Sequence, residues 1–508
     1  MSVVVGISGA SRNASLALCR DGRIVAVCEQ ERVTRTRRAG LRRGELPRET
    51  LGTVLKMAGC TEDEVESYAV AERAIELPPE CRLQHVDHHY AHAATAFYGS
   101  PFTDATILVC DRHSVPELTV WRGDENGLTQ EDFTWLGPGF ATLFSQAAAA
   151  FGFAAEGDEH RLEALARVGE RRCNSALPTI AYREDHLLVP RTWQACIASL
   201  LAREATSDAP RLSARCASLA EQVQRHLGGL LVQVAADMNR RLDGRNLCLA
   251  GGLFYNSYFT TLLAESGLYE RTFVPANPGN AGVSIGAALV VAANGTPLPR
   301  DGALSPFLGP EFAPDEIKST LDNCKLSYDY LRNGQLIERT TSALAKGQLV
   351  GWFHGRMEWG SRALGNRSIL ASPVAPYVLE NLNMFLKQRE PHRPYSVAVC
   401  AEDLPRYFRG PAASPFMEYE YEVLDRELLQ PLLSQNATRL RVQTVDESAG
   451  VFYQLIRAFG DLTGVPMLVN TSFNGFNEPI VCNPRDAIRV FYGTGLDMVV
   501  LDGLVVQK

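Results

Sequence analysis

The chain has 508 residues, enough for two to four domains at roughly 150 residues each. Hydrophobic residues make up 46% and charged residues 21%, ordinary values for a globular protein that exclude disorder as the default state. Fifty basic side chains against 58 acidic ones leave a formal charge of −8, which excludes a general nucleic-acid binder because such proteins need a basic face.

The longest apolar run, Ala281–Ala293, is shorter than the roughly 18 residues of a membrane span and carries Gly282 and Gly286. The opening MSVVVGISGASRNAS has no basic stretch ahead of an apolar run, so a cytoplasmic protein is expected. The 12 cysteines are scattered singly from Cys19 to Cys482 without a CxxC pair, and reduced, mostly buried thiols are expected.

Val3–Ile7 reads as a strand, and Leu16–Cys19 with Arg23–Cys28 flank Asp21-Gly22 as a hairpin. Leu51–Met57 reads as a helix stopped near Gly59, and Ala105–Cys110 as a buried strand. Leu212–Leu242 has helical periodicity that Gly228-Gly229 should interrupt. Leu247–Ala250 is a strand running into Gly251-Gly252, and Gly282–Ala293 an apolar helix. Five prolines within 296–314, Pro297 to Pro314, place a domain boundary there, between residues 1–310 and 311–508. Beyond it, Gln335–Ala345, Val378–Phe385, Val451–Phe459 and Ala487–Phe491 read as helices; Leu349–Phe353, Met467–Asn470 and Met498–Leu501 read as strands. The alternation argues α/β in both halves. No repeat of solenoid period is present.

Four of the ten histidines fall in HVDHHYAHAA: His85, His88, His89 and His92. The i, i+4 pair His88 and His92 shares one helix face and suits a metal ion; a polar helix without metal is the alternative. Asp111, at the end of the buried strand, suits a metal or a phosphate-bound cation, or else caps a turn. His113 and Glu117 are close enough in sequence to join its pocket.

Gly9, Gly251, Gly252 and the segment GNAG with Asn280 follow strands or open a helix, where backbone N–H groups can meet a phosphate. Turn-making is the alternative for each, and neither GxxxxGK[ST] nor GxGxxG is present. The second half gathers Arg356, Arg362 and Arg367, then Lys387, Arg389 and Arg393, then Arg439 and Arg441, with Ser472 and Asn474 after the strand PMLVN. Arginine forks suit phosphate or carboxylate; surface salt bridging is the alternative for any single one. Glu156, Asp158, Glu159 and His160 (EGDEH) either face an acceptor or lie in a solvated loop. Asp158–Arg172 and Asp185–Ser199 are read as loops.

Together these segments resemble the NodU/CmcH family of O-carbamoyltransferases, over nearly the whole chain. EQERVTR (Glu29–Arg35), DHHYAHAATAF (Asp87–Phe97) and CLAGGLFYNS (Cys248–Ser257, with Asn256) are similar to motifs of that family. GWFHGRMEWGSRALGNRSILASP, LKQREPHRPYSVAV and GVPMLVNTSFNGFNEPIVCNP are close to its C-terminal signature. The resemblance implies an actin/hexokinase-like (ASKHA) first domain and a YrdC-like second domain. The YrdC-like domain would make carbamoyl adenylate from ATP, with Mg²⁺, and carbamoyl phosphate; the first would pass the carbamoyl group to a hydroxyl of a small-molecule acceptor, often a natural-product scaffold. Lys387-Gln-Arg389 and Ser472-Phe-Asn474 look like the KxR and SxN elements of the YrdC-like fold. Lys387, Arg389, Arg393 and Arg441, with Arg356, Arg362, Ser472 and Asn474, would bind the two phosphate substrates. His88, His92 and Asp111 would hold a divalent metal, iron or another, against the adenylate, which Gly9, Gly251, Gly252, Asn256 and Asn280 would contact.

Three departures fall in the first half. Arg12-Asn13 stands where the family has His-Asp, so the base for the acceptor has moved, with His113 as its candidate, or been dropped. Asp111 is followed by Arg112 rather than glycine. Asn280 replaces an aspartate that is the family's fourth metal ligand. Transfer to an amine, and a non-catalytic nucleotide-binding protein with a degenerate first domain, are the two other readings. A homodimer is compatible with the long apolar helices.

Overall fold

The structure is a computed structural model that describes residues 2–154, 157–171, 177–204, 214–295, 298–300, 302–434 and 436–508. The first strands are short β-branched or apolar runs buried on both faces, and they build a sheet in which β1 (Val3–Ser8), β2 (Ser15–Arg20) and β3 (Arg23–Glu29) form an antiparallel meander. β4 (Ser67–Val70) and β5 (Leu83–His85) add in parallel on the other side of β1, giving the order β3-β2-β1-β4-β5.

The pattern then recurs. β6 (Ala105–Cys110), β7 (Leu118–Asp124) and β8 (Gly127–Gln130) form a second meander. After a small hairpin, β9 (Ala181–Arg183) with β10 (His186–Leu188), the strands β11 (Asn246–Ala250) and β12 (Arg271–Phe273) join in parallel beside β6. Two sheets with the same strand order and directions are the duplicated architecture of the actin/hexokinase-like fold. The duplication is carried by topology, so a search for sequence repeats does not find it.

The helices of this half are α1 (Gln30–Thr34), α2 (Arg48–Ala58), α3 (His88–Tyr98), α4 (Phe140–Ala150), α5 (Glu159–Arg167), α6 (Trp193–Glu204), α7 (Ala214–Leu242), α8 (Ser257–Ala264) and α9 (Val283–Ala293). The predicted break at Gly228-Gly229 does not occur: α7 runs unbroken for 29 residues. Gly228 is there for packing, since a Cβ would come within 2.8 Å of Leu262 and 2.9 Å of Tyr258 on α8. Leu212, the predicted helix start, lies outside the described residues, as do Pro297 of the predicted boundary, Glu156 and Arg172. The predicted loops Asp158–Arg172 and Asp185–Ser199 instead contain α5, β10 and the start of α6.

In the second half, β13 (Asp329–Tyr330), β14 (Val350–Phe353), β15 (Arg367–Ala371), β16 (Ser396–Cys400), β17 (Phe408–Arg409), β18 (Glu420–Val423), β19 (Arg439–Val445), β20 (Met467–Ser472), β21 (Met498–Leu501) and β22 (Leu504–Gln507) form one mixed sheet of ten strands. Its order is β13-β22-β21-β14-β15-β20-β16-β19-β18-β17. The predicted helix Val378–Phe385 is one α-turn, Val378–Glu380, that continues as a π-wound stretch, Asn381–Lys387. The wider winding keeps Leu382 and Leu386 in the core and carries Lys387 inward. Among the described residues, no helix is long and apolar enough to cross a membrane, and no disulfide is present.

Helix α3 lies between the two sheets of the first half. Its Ala91 packs with Val4, Ala69 and Ile285, while Ala93, Ala96 and Phe97 pack with Ile107, Val109 and Cys248. It meets α9 at Gly286, where a Cβ would stand 1.8 Å from Ala91 O. Thr95 Oγ1 accepts the Gly286 N–H at 3.0 Å and donates toward Gly282 O at 2.9 Å. Gly286→Ala should therefore force the helices apart and lower stability by about 2–3 kcal/mol in chemical denaturation. An unchanged denaturation midpoint would show that this crossing has slack.

Candidate active site

Helix α3 starts at His88 because the Asp87 side chain caps it, accepting the Tyr90 N–H at 2.8 Å. The i, i+4 spacing brings the His88 and His92 rings edge to face with centroids 4.8 Å apart. Asp111, just past β6, meets them: His88 Nε2 lies 3.4 Å from its Oδ2. Ligand atoms of His88, His92 and Asp111 all lie within 4.8 Å of one another. His89 is turned away, with Nδ1 2.8 Å from Thr119 Oγ1.

The electrostatics of this group follow from burial. Burial pushes His92 down to about 3, with the neighbouring His88 adding to the effect. Burial also acts against charge on His88, but the Asp111 carboxylate outweighs it and raises its pKa. Asp111 is likewise opposed by burial yet ends well below the carboxylate range because the imidazoles hold it. The Nε2 atoms of His88 and His92 are buried without a hydrogen-bond partner. Two buried imidazole nitrogens without hydrogen-bond partners and one carboxylate are a donor set that fits a divalent cation. Asn280 faces His92 and adds a neutral oxygen.

A cavity of about 680 Å³ opens beside this group and spans both halves of the chain. Arg12, Asp111, His113, Gly252, Asn256 and Asn280 line it from the first half; Arg362, Lys387, Arg389, Arg393, Arg441, Ser472 and Asn474 line it from the second. His88 and His92 stand behind Asp111 and are not part of the wall.

Three predicted contacts are not where a phosphate would meet them. The N–H groups of Gly9 and Ala10 donate to the Glu72 carboxylate at 2.6 and 2.9 Å, so an acidic side chain already fills that nest. Gly251 is outside the cavity wall; it allows β11 to pass β6, a Cβ there falling 2.0 Å from Cys110 O. Arg356 is also outside, with its guanidinium donating to the carbonyls of Val25 and Leu308 at 3.0 Å each.

The cations of this cluster are buried or half-buried, and Lys387, Arg362 and Arg389 donate to neutral acceptors rather than to carboxylates. Lys387 Nζ donates to Ser472 O at 2.6 Å and to Asn474 Oδ1 at 2.5 Å, which joins the KxR and SxN elements. Burial, then the charges of Arg389 and Arg393, hold its pKa far below normal. Arg389 donates to Asn383 Oδ1 at 2.7 Å and lies over the Tyr395 ring, 4.2 Å from its centroid. Burial, then Arg389, lowers Arg393 to about 10. Burial, then Arg441, lowers Arg362 to about 9; its Nη1 is buried without a partner while Nη2 donates to Tyr255 O at 2.9 Å. Depressed pKa values on several neighbouring cations mark uncompensated positive charge, which a polyanion would neutralise.

The EGDEH segment is not a solvated loop. Its Glu159 and His160 open α5 and line the cavity with Glu163, although Glu156 lies outside the described residues. Burial, then Arg393, lowers His160 to about 4. Arg112 points at this helix, with Nη1 2.8 Å from Ser145 Oγ and 3.8 Å from Glu159. Arg441 donates to Ser257 Oγ at 2.9 Å and to Glu163 at 3.1 Å. The sequence reading missed Glu163, Tyr255 and Asn277 as wall residues; the i, i+4 series Glu159, Glu163, Arg167 was the available signal for α5.

Residues 73–289 match the carbamoyltransferase N-terminus and residues 341–508 match the carbamoyltransferase C-terminus. The chain belongs to the carbamoyltransferase family. It is 28% identical to an uncharacterized protein of Synechocystis sp. over 100% of this chain and 97% of that one. It is 27% identical to nodulation protein NolNO of Sinorhizobium fredii over 97% of this chain and 78% of that one. It is 32% identical to a 3'-hydroxymethylcephem-O-carbamoyltransferase of Amycolatopsis lactamdurans over 51% of this chain and 48% of that enzyme.

One buried acid of this carbamoyltransferase stands behind Arg362. Glu418 accepts from Phe416 N–H at 2.8 Å and Ser414 Oγ at 3.0 Å, yet burial pushes its carboxyl up to about 7. The unfolded chain ionises it near 4.5. Its contribution to stability is full below that pH and is lost as pH rises to about 7. Glu418→Gln should therefore gain on the unsubstituted protein by about 2–3 kcal/mol between pH 5 and pH 7.5 in urea unfolding. A pH-independent difference would show Glu418 to be ionised throughout.

Proposed function

We propose that this carbamoyltransferase makes carbamoyl adenylate from carbamoyl phosphate and ATP, then transfers the carbamoyl group to a hydroxyl of a small-molecule acceptor. The observation that carries the reading is the single cavity, in which the basic cluster of one half faces the Asp111 end of the other. The division into residues 1–310 for transfer and 311–508, YrdC-like, for activation is part of the same proposal.

Both donors are polyanions, and Arg362, Arg389 and Arg393 supply fixed cations where their charge must be offset. Lys387 acts in the same place by holding the Ser472–Asn474 turn in position. Atom balance requires one water: carbamoyl phosphate and water give carbamate and phosphate. A carbamate oxygen then attacks the α-phosphorus of ATP, entering as its Mg²⁺ complex, and pyrophosphate leaves. The acceptor hydroxyl finally attacks the carbamoyl carbon, AMP leaves, and the hydroxyl proton needs a base. His113 lines the cavity and is exposed, so it is our candidate for that base; Arg12 lines the same cavity and would bind negative charge there. His88, His92 and Asp111, with Asn280, would hold a divalent metal that polarises the adenylate and makes AMP a better leaving group. Closing the reaction inside one cavity keeps water from the mixed anhydride. A nitrogen acceptor is the second reading, favoured by Arg12 at the acceptor end, because an amine needs less help from a base.

Pyrophosphate release from ATP tests the activation half without an acceptor. It should depend on carbamoyl phosphate and fall at least about a hundredfold in Arg393→Ala. Release that ignores carbamoyl phosphate, or ATP binding without release, would overturn the reading. His92→Ala separates the halves: it should lose bound metal in elemental analysis and keep pyrophosphate release. Loss of both in a folded His92→Ala protein would refute two separable roles.

A further inference from the structure

Helix α5 is tied to both ends of the cavity by side-chain charge. Toward the first half, Asp158, which precedes α5, lies 3.7 Å from Arg38, and Arg38 also donates to Gly157 O at 2.8 Å. Within the helix start, Arg161 Nη1 lies 3.4 Å from Asp158. Toward the second half, Arg161 Nε donates to Glu390 Oε1 at 2.6 Å. The other Glu390 oxygen lies 3.8 Å from Arg393, whose own N–H donates to Glu390 O at 3.1 Å. Charges thus alternate through Arg38, Asp158, Arg161, Glu390 and Arg393. The two end members line the cavity and the three middle ones do not.

The segment between Lys387 and Arg393 leaves the sheet after the π-wound stretch. Its internal anchors are the amide of Asn383, which donates to Pro391 O and Arg393 O at 3.2 Å each, and the Arg389 fork on Asn383. Glu390 is the acidic residue within this segment, and α5 is where it is held. Arg161 is itself fixed, lying over the Phe153 ring 4.8 Å from the centroid. On the same helix, Glu159, His160 and Glu163 face the cavity. The pair therefore joins α5 to the basic segment just outside the cavity wall.

We propose that Arg161–Glu390 is a positioning tie that holds the Arg389–Arg393 segment against α5, so that activated carbamoyl made beside Arg393 stays in the shared cavity until an acceptor takes it. This rests on the reaction proposed above. The side chains are 34% and 21% exposed, so breaking the pair costs little folding stability and its effect falls on retention.

The test is pre-steady-state pyrophosphate release by the full chain with ATP, Mg²⁺ and carbamoyl phosphate, without acceptor. A retained intermediate gives a burst near one pyrophosphate per chain, then slow release. Arg161→Gln and Glu390→Gln should each keep the burst and raise the slow rate roughly threefold to tenfold. The double substitution should do no more than either single one, because both break the same pair, and Arg161→Lys should restore most of the slow rate. A slow rate unchanged in both single variants, additive effects in the double, or a burst lost together with the slow phase overturns the tie. Carbamoyl-phosphate-dependent release without a burst in the unsubstituted protein overturns retention while leaving the reaction intact. Release independent of carbamoyl phosphate overturns the reaction, and the tie with it.

Discussion

Buried positive charge between the two halves is the constraint on which the rest of the structure depends. Lys387, Arg362 and Arg393 are all held below their ordinary pKa values, with burial the largest cause in each. Such groups are tolerated only when their donors are satisfied. The protein gives Lys387, Arg362 and the neighbouring Arg389 neutral acceptors: the Ser472 and Tyr255 carbonyls, the Asn383 and Asn474 amides, and the face of Tyr395. Arg393 lies 3.8 Å from Glu390, and Arg362 keeps its Nη1 without a partner, so positive charge is left over. A few ångströms away the solution is the opposite. Arg167 pairs with Glu163 and Glu420, and Arg441 with Glu163, so that side of the interface is neutralised. The paired set joins the halves, and both sets line the cavity.

The first half solves a different problem, which is to place a polar group inside an apolar layer. Helix α3 is mostly alanine where it is sandwiched, so the second sheet and α9 approach it closely, and α9 in turn packs on the first sheet. Gly286 and Gly6 remove the last obstacles, since a Cβ on either would lie 1.8 Å from a backbone oxygen. This compactness is what buries His92 and Asp111 and keeps the His92 imidazole neutral. A looser helix would let water in and relax the pKa shifts that make the triad a ligand set.

How much of this was legible in the sequence depends on the range of the contacts. The His88–His92 pair is one helical turn, so its spacing alone gave the geometry. Lys387 and Asn474 are 87 residues apart, and only the resemblance to a family suggested that they meet. The sequence leaves the Gly9 N–H open to a phosphate because its partner Glu72 is 63 residues away and carries no local signature. Helix α5 reads as a loop because its pattern is built from charges; those charges are spent on Arg441, Glu390 and Glu420, distant in sequence. Gly228-Gly229 misled in the other direction: propensity predicts a break, but the close approach of α8 outweighs the roughly 1 kcal/mol that a helical glycine costs. The duplicated sheets are likewise invisible to composition, because each strand is only three to seven residues and most are of interchangeable apolar type.

Asn280 shows how one departure can fit the electrostatics of the whole site. Asp111 is the only carboxylate in the triad, and His92 stays neutral at physiological pH. A divalent cation held by that set would keep a net charge of about +1 toward the cavity. An aspartate at 280 would cancel that charge; asparagine supplies an oxygen and leaves it. The first half brings Arg12, Arg37 and Arg38 to the cavity wall together with Glu29, Glu31, Glu159 and Glu163. The second half biases its wall toward anions through Arg362, Arg389 and Arg393, and a cation held by a ligand set with one negative charge would do the same beside Asp111. On the reading proposed above, an anionic adenylate would meet favourable potential along its path rather than a barrier at the midpoint, which two half-sites facing one cavity require if what one makes the other is to use.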